Sequence, residues 1–218
     1  MMTERRQLAL DFKLRDDATF ANYLGLAKAR LDYPGQVVYL CGEAQSGRSH
    51  LLQACCHVAA DAIYLQNLQS LSVDVLSQLE HRSLICLDDI DTVMGQADWE
   101  EALFHLINAV KDAGSRLVLV ANQTARKLPV KLPDLHSRLL AAVSVETDHL
   151  TDEQKLAVLK LHAHNRGFVL KDEVGQFIMS RTSRDMRNLV DMLEQLEVES
   201  LRQQKRVTIP FVKHTLNL

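Results

Sequence analysis

Short apolar segments alternate along the first part of the chain with segments whose apolar residues recur every three or four positions. The five apolar segments span residues 36–41, 62–65, 84–88, 116–121 and 142–145. Most are continuous runs of Val, Ile and Leu, which is typical of parallel strands covered by helices on both faces. The clearest helical spacing runs from Trp99 to Val110, with Asp98 as a candidate N-cap and Gly114 beyond the end. The alternation predicts a doubly wound α/β domain whose ligand lies at the carboxyl ends of the strands.

After about residue 148 the pattern becomes helical. Thr151 and Gln154 form a capping-box pattern at the start of one helix, and Asp172 and Ser183 are candidate caps for two more. Residues 208–210, TIP, predict the start of a short last helix, and the only remaining candidate for a strand is a short one near 207. The last third of the chain therefore predicts a small helical domain.

The composition, with 47% hydrophobic and 24% charged residues, is that of an ordinary globular protein. No apolar stretch reaches the length of a membrane span and no secretion signal is present, so we expect a cytoplasmic protein without a membrane partner. The four cysteines lie in apolar segments without metal-ligand spacing, which favours reduced core residues over a zinc site. The formal net charge of −3 gives no support for a broad surface that binds nucleic acid.

A glycine-rich segment directly after the first apolar run carries the strongest chemical signal. Residues 42–49, GEAQSGRS, match the phosphate-binding pattern G-x-x-x-x-G-K-[ST], except that Arg48 replaces the lysine. Between a strand and a helix, the turn at Gly42, Ser46 and Gly47 points N–H groups at a phosphate, while Arg48 supplies charge and Ser49 a hydroxyl for Mg²⁺. Arginine is bulkier than lysine and acts less as a point charge, so the segment predicts a bound nucleotide and leaves its turnover open. A purely structural glycine turn is the alternative.

Polar side chains follow two later strands. Asp88 and Asp89 come directly after the apolar residues 84–87; Asp88 is placed to hold Mg²⁺ through water, and Asp89 to orient an attacking water. Asn122 follows the run 117–121, where it can contact a γ-phosphate or the attacking water. A turn-forming asparagine is an equally good interpretation of Asn122.

The order of these motifs resembles that of AAA+ ATPases over nearly the whole chain. The resemblance implies a five-stranded parallel P-loop domain followed by a small all-helical lid domain, with residues 42–49 as Walker A. Asp88 and Asp89 then correspond to Walker B, and Asn122 to sensor 1.

Two arginines complete the AAA+ arrangement. Arg138 lies in a short predicted helix before the last strand, and Arg187 lies near the start of a helix in the last third. The resemblance implies that Arg138 is an arginine finger acting in trans on the nucleotide of a neighbouring subunit, and that Arg187 is sensor 2. The alternative for both is a solvated surface arginine.

A narrower resemblance is to the DnaA family and its Hda-family regulatory inactivators. Residues 17–23, DATFANY, are similar to the segment at the adenine pocket of DnaA initiators, and four further segments resemble Hda proteins: 46–50, 167–168, 184–187 and 208–213. The resemblance places Phe20, Tyr23 and His50 in a site for ADP or ATP, with Mg²⁺ as a second cofactor. DnaA initiators carry a further DNA-binding domain after the lid, for which we expect no room before Leu218.

The N-terminal segment 7–12, QLALDF, resembles a peptide that binds the DNA polymerase sliding clamp (beta subunit). Leu10 and Phe12 would enter an apolar pocket, with Leu8 beside them and Gln7 forming a hydrogen bond nearby. An edge strand packed on the core is the alternative.

Together these resemblances imply a negative regulator of replication initiation in three parts: a clamp-binding tail at 1–14, an AAA+ domain at 15–148 and a lid at 149–218. It would stimulate ATP hydrolysis by a DnaA-type initiator rather than act as an enzyme itself, and reach DNA mostly through the clamp. An autonomous ATPase that loads or remodels replication proteins is one alternative, and a DNA-binding adaptor is another. The arginine finger also leaves self-association into a homo-oligomer open.

Overall fold

A computed structural model describes residues 14–24, 27, 37–147 and 149–218. The tail residues Gln7, Leu8, Leu10 and Phe12 lie outside the described residues, so the clamp-binding interpretation stays a prediction. Within the described part of the chain, no helix is long and apolar enough to cross a membrane.

The N-terminal domain is built on a five-stranded parallel sheet in the order β2-β3-β4-β1-β5. The strands are β1 (Val37–Cys41), β2 (Ala62–Leu65), β3 (Leu84–Leu87), β4 (Arg116–Ala121) and β5 (Val143–Glu146). In the central register, Val38 lies between Val118 of β4 and Val143 of β5. The predicted strands and the parallel arrangement are confirmed.

Seven α-helices accompany the sheet in the described residues. They are α1 (Arg48–Val58), α2 (Ala97–Ala113), α3 (Pro133–Ala141), α4 (Asp152–Asn165), α5 (Asp172–Arg181), α6 (Met186–Gln203) and α7 (Ile209–Leu216). Short 3₁₀ turns, including Phe20–Asn22 and Ile90–Val93, lie between the longer elements. Helices α1 to α3 belong to the sheet domain, and α4 to α7 follow it.

The sheet is buried on both faces, which explains its unbroken apolar strands. On one face Tyr39 and Leu119 pack with Trp99 and Ile107 of α2. On the other face Val38 and its neighbours pack against α1. Since alternate side chains of a strand point to opposite faces, a strand covered on both sides needs apolar residues at every position.

The helical domain has its own core, centred on Leu159, Leu189 and Leu193. Its first helix begins with the predicted capping box, in which Thr151 accepts from the N–H of Gln154 and the Gln154 side chain accepts from the N–H of Thr151. Four helices without a strand agree with the predicted lid, except that no strand forms near 207 in the described residues.

Three predicted caps are wrong by one or two positions. Gln96, not Asp98, is the N-cap of α2, and Asp98 lies in the first turn, where a negative charge also favours the helix dipole. Helix α5 begins at Asp172 itself, so Lys171 is its N-cap. Helix α6 is capped by Asp185 rather than Ser183, because the Asp185 carboxylate accepts the N–H of Arg187.

Candidate functional site

A cavity of about 370 Å³ lies where the phosphate-loop turn, the segment 14–24 and the helical domain meet. Its walls come from the start of α1, from α4 and from the start of α6. Seven of the predicted site residues line it: Tyr23, Ser46, Gly47, Arg48, Ser49, His50 and Arg187. The complete lining comes from four separate parts of the chain, within 15–24, 45–53, 150–162 and 185–190.

Two glycines allow the turn before α1 to close tightly. A Cβ at Gly42 would lie 1.9 Å from Thr147 Oγ1 and 2.9 Å from Ser46 Oγ. Those two hydroxyls are buried and hydrogen-bonded to each other at 2.5 Å, so neither can move aside at low cost. Gly47 is the N-cap of α1 at φ +85°, and a Cβ there would lie 2.9 Å from the Tyr23 ring. Only glycine permits both the left-handed backbone at position 47 and the close approach of the Tyr23 ring.

Arg48 gives the cavity an unsatisfied cationic group. Its Nη1 atom is buried and has no hydrogen-bond partner among the described residues. A buried donor of this kind is costly unless an acceptor reaches it, and a phosphate oxygen is the natural acceptor for a guanidinium. Arg187 lines the same cavity, and the free N–H groups at the start of α1 add a positive dipole end. The residues present therefore fit a phosphate group.

The two carboxylates after β3 do not line the cavity. Asp88 is only 2% exposed, and its Oδ2 accepts the Tyr64 hydroxyl at 2.8 Å while its Oδ1 accepts the Asp89 N–H at 3.1 Å. Burial and the Asp88 charge raise the pKa of Asp89, against the lowering effect of Arg48 and Arg187. Asp89 is thus within electrostatic reach of both cavity arginines.

Three further predicted residues also lie away from the cavity. Asn122 is exposed at the end of β4, where its N–H donates to the Asp91 carboxylate at 3.2 Å. Phe20 packs against the apolar cluster beneath α1. Arg138 projects from α3, with its guanidinium carbon 6.0 Å from the centre of the Phe104 ring. The roles assigned to these residues stay predictions.

An aromatic wall lines the cavity beside the phosphate turn, where the Tyr23 ring lies against Gly47. The His50 ring lies 5.7 Å from Tyr23 and 6.3 Å from His162, edge-on to the latter. His50 Nε2 lies 2.8 Å from the Thr19 carbonyl, which can only accept, so this nitrogen carries the proton. Val158 and Val190 add apolar surface. A flat heteroaromatic ring suits such a wall.

The segment 14–24 is attached to the helical domain through polar side chains. Arg166 donates to the Asp17 carboxylate at 3.0 Å and pairs with Glu197 at 3.4 Å, and Asn165 donates to Asn22. Although burial acts to raise it, the pKa of Asp17 is lowered by the neighbouring Arg15 and Arg166. These contacts close one side of the cavity.

Sequence reasoning missed several residues of this site, His162 and Arg166 foremost. The signal available was weak: Val158 and His162 are four residues apart and so share one face of α4, and Arg166, the C-cap, follows His162 at the same spacing. Nothing local indicated that this face meets the segment 14–24.

His162 should make folding sensitive to acid. Burial foremost, then the Arg166 charge, lowers its pKa to about 4 from the usual 6.5, against the opposing effect of Asp17. Burial also lowers the pKa of His50. Between pH 6.5 and 4, His162 is protonated in the unfolded chain but not in the folded chain. The contribution of His162 to the free energy of unfolding is therefore fully present above pH 6.5 and is lost as the pH falls, by at most about 1.4 kcal/mol per pH unit.

Urea unfolding at a series of pH values measures this slope. His162→Gln keeps an acceptor for Arg166 but cannot titrate, so the fall in unfolding free energy between pH 6.5 and 4 should be shallower. His81→Gln, at an exposed position, is the control and should leave the slope unchanged. Equal slopes for wild type and His162→Gln would contradict the assignment.

Comparison with known proteins agrees with the geometry. Residues 152–216 match the family described as Hda, lid domain. An uncharacterized protein of Haemophilus influenzae is 41% identical, covering 98% of this chain and 99% of its own length. Domain III of the Thermotoga maritima replication initiation protein DnaA has a TM-score of 0.76 at 20% identity, covering 94% of this chain and 98% of that one. AMPPCP-bound DnaA from Aquifex aeolicus has a TM-score of 0.66 at 20% identity, covering 89% of this chain and 70% of that one.

The solved structures confirm the AAA+ fold, and the lid match confirms the narrower resemblance. Because the relationship to the Haemophilus influenzae protein extends over the whole chain, the two share one family. With a DnaA-like AAA+ fold over nearly the whole chain and an Hda-type lid at residues 152–216, the protein belongs to the family that it shares with this Haemophilus influenzae protein.

Proposed function

We propose that the chain binds an adenine nucleotide in the 370 Å³ cavity, with the phosphates at the α1 turn and the base against the aromatic wall. The observation that carries this proposal is the buried, unpartnered Nη1 of Arg48, a residue that lines the same cavity as the rings of Tyr23 and His50. The AMPPCP-bound DnaA structure, which shares the fold, supports the choice of an adenine nucleotide.

We propose ADP rather than ATP as the bound nucleotide. Arg48, Ser49 and Arg187 line it, whereas Asp88, Asp89 and Asn122, the groups expected around a γ-phosphate, do not. Ser49 and Asp88 are the residues that would hold Mg²⁺, with Asp88 acting through water, and the ion would neutralise charge on the phosphates. Tyr64 already donates to Asp88, which leaves the remaining lone pairs of the carboxylate for that role.

Arg48→Ala should weaken ADP binding by about 10- to 100-fold, because a hydrogen bond to a charged group contributes about 1.5–3 kcal/mol. Isothermal titration calorimetry of the full chain with ADP measures the change. Arg202→Ala removes an equal charge from an exposed lid position outside the cavity and should bind like wild type. Equal affinities for Arg48→Ala and wild type would overturn the assignment of the phosphate end.

We further propose that the chain regulates replication initiation by acting on a DnaA-type initiator. Arg138 lies outside the chain's own cavity and is partly exposed on α3, which suits action on a nucleotide held by another molecule. An arginine supplied in trans stabilises the charge on the transferring phosphoryl group. The initiator would then carry ADP and become inactive. In this role the chain is a stimulator of hydrolysis, with the AAA+ domain at 15–148 presenting the finger and the lid at 149–218 closing over ADP.

The tail at 1–14 would bring this activity to DNA through the sliding clamp. Its pattern, with Gln7, Leu8, Leu10 and Phe12, supports docking as a short extended peptide. The adjoining segment is held to α1 by the His50–Thr19 hydrogen bond and to the lid by Arg166, so a docked tail would leave the nucleotide cavity fixed close to the clamp.

A further inference from the structure

We propose that His162 of α4 determines which base the cavity accepts: its Nε2–H donates a hydrogen bond to a ring nitrogen of the bound adenine. This inference rests on the proposed nucleotide site and adds to it a residue of the helical domain that recognises the base. It follows from a buried N–H group that borders the cavity and has no acceptor of its own.

The side chain of Arg166 decides which nitrogen of the His162 ring carries the proton. Arg166 Nη1 lies 3.1 Å from His162 Nδ1, and a guanidinium can only donate, so Nδ1 is the acceptor. The Asp17 carboxylate is 3.9 Å from the same nitrogen, too far for a hydrogen bond. Burial foremost, then the Arg166 charge, lowers the pKa of His162 to about 4, so the ring is neutral near neutral pH. A neutral ring that accepts at Nδ1 carries its proton on Nε2.

This Nε2–H has no hydrogen-bond partner among the residues that the structure describes. His162 is only 3% exposed, and it lines the cavity together with the apolar side chains of Val158 and Val190. A buried donor without an acceptor is costly, and a ligand that brings an acceptor to the cavity removes that cost. The arrangement therefore favours a ligand with an acceptor at this position.

The charge state of the donor indicates which part of the nucleotide it contacts. The two cavity arginines, Arg48 and Arg187, are charged donors and suit phosphate oxygens. A neutral imidazole N–H suits an uncharged acceptor, and the ring nitrogens N1, N3 and N7 of adenine are acceptors of that kind. Two other polar side chains of the lining already have partners: Asn22 donates to the Asp17 carbonyl at 2.7 Å, and Gln53 accepts the Arg15 N–H at 2.9 Å. His162 therefore differs from them in having a donor free for the base.

The first part of the test changes the ligand and leaves the protein intact. Isothermal titration calorimetry of the full wild-type chain compares ADP with 1-deaza-, 3-deaza- and 7-deaza-ADP, in each of which a C–H replaces one ring nitrogen. We expect one analogue to bind about 10-fold more weakly than ADP, because the buried Nε2–H then lacks its acceptor. 2′-Deoxy-ADP tests the ribose in the same way and should bind as ADP does.

The second part removes the donor from the protein. His162→Leu should bind ADP about 10-fold more weakly than wild type, and the sensitive analogue should then bind as well as ADP does. This loss of the difference measures the coupling between the residue and one ring nitrogen, which a purely structural role of His162 would not produce. His162→Gln supplies an amide donor and should keep part of the difference. His164→Leu is the matched control, because His164 is an exposed histidine of the same helix outside the cavity.

A further measurement reports the hydrogen bond directly and does not depend on affinity. The ¹⁵N spectrum of the histidine rings, with the His162 signals identified from their loss in His162→Gln, should show a protonated Nε2 and an unprotonated Nδ1. ADP should shift the Nε2 signal, whereas the sensitive analogue should not. If His162→Leu does not fold, the wild-type chain with the four analogues and this spectrum still decide the question.

The outcomes separate this inference from the proposed function. Equal affinities of ADP and the three deaza analogues for wild type would overturn the role of His162 and leave the nucleotide site intact. The same conclusion would follow from a proton on Nδ1, from a difference that persists in His162→Leu, or from a loss of affinity with 2′-deoxy-ADP alone. Failure of the wild-type chain to bind ADP at all would overturn the nucleotide site itself, and with it the ligand of His162.

Discussion

Replacing Arg138 with alanine should abolish the stimulation of ATP hydrolysis on a DnaA-type initiator while leaving ADP binding by the chain itself unchanged. Arg138 lies outside the chain's own cavity, and in the role we propose its positive charge acts on a nucleotide held by another molecule. An arginine supplied in trans contributes about 10³- to 10⁵-fold to the rate of phosphoryl transfer. No other proposed residue carries an effect of this size.

The measurement follows ADP formation on ATP-loaded initiator with the purified chain, with and without DNA-loaded clamp. Arg138→Lys keeps the charge but not the planar fork, and should recover only a small part of the rate. Arg126→Ala removes an exposed arginine from the same domain and serves as the matched control. Full stimulation by Arg138→Ala would remove this residue from its proposed role.

The same assay tests whether the tail binds the clamp, and whether the chain hydrolyses ATP by itself. Gln7→Ala combined with Phe12→Ala should remove the part of the stimulation that depends on the clamp, with Arg138 and the ADP site unaffected. Clamp dependence that survives this double change would favour the edge-strand interpretation of the tail. ADP formed equally fast without the initiator would identify an autonomous ATPase.

The sheet and the phosphate turn were predictable because their signals are local. A strand buried on both faces must be apolar throughout, and a turn that brings Gly42 against Thr147 and Gly47 against Tyr23 must lack side chains there. Each requirement concerns only a few consecutive residues. For the same reason the lid helices and the capping box at Thr151 were recoverable from the sequence.

The contacts that close the cavity were not predictable, because they depend on how distant elements pack. Arg166 meets Asp17 across 149 positions, and Tyr64 reaches Asp88 only through the pairing of β2 with β3. The helical spacing of α4 reveals which residues share a face, but not which surface that face meets. Even the caps show this limit: Asp98 and Ser183 have suitable side chains, yet the helices begin at positions set by the preceding turns.

Glu100→Ala should lower the free energy of unfolding by about 3–5 kcal/mol, because each backbone N–H left without its acceptor costs about 1–3 kcal/mol. Glu100 is only 1% exposed, and its carboxylate accepts the backbone N–H groups of Gly95, Lys131 and Leu132 at 2.7–3.1 Å. Alanine leaves all three donors without their acceptor in a site that water reaches poorly. For a chain of this size, the melting temperature should fall by about 10 °C.

Thermal and urea unfolding of the full chain measure the change, with Glu101→Ala as the matched control. Glu101 is the next residue on α2, but it is exposed, and its carboxylate lies 3.7 Å from the His105 ring nitrogen, so its loss should cost less than about 0.5 kcal/mol. Glu100→Gln should fall between alanine and wild type, because the amide oxygen still accepts while the amide nitrogen faces a donor. A stability equal to that of Glu101→Ala would show that these N–H groups find other acceptors. The start of α3 would then be held by packing alone, and its placement beside α2 would not depend on the carboxylate.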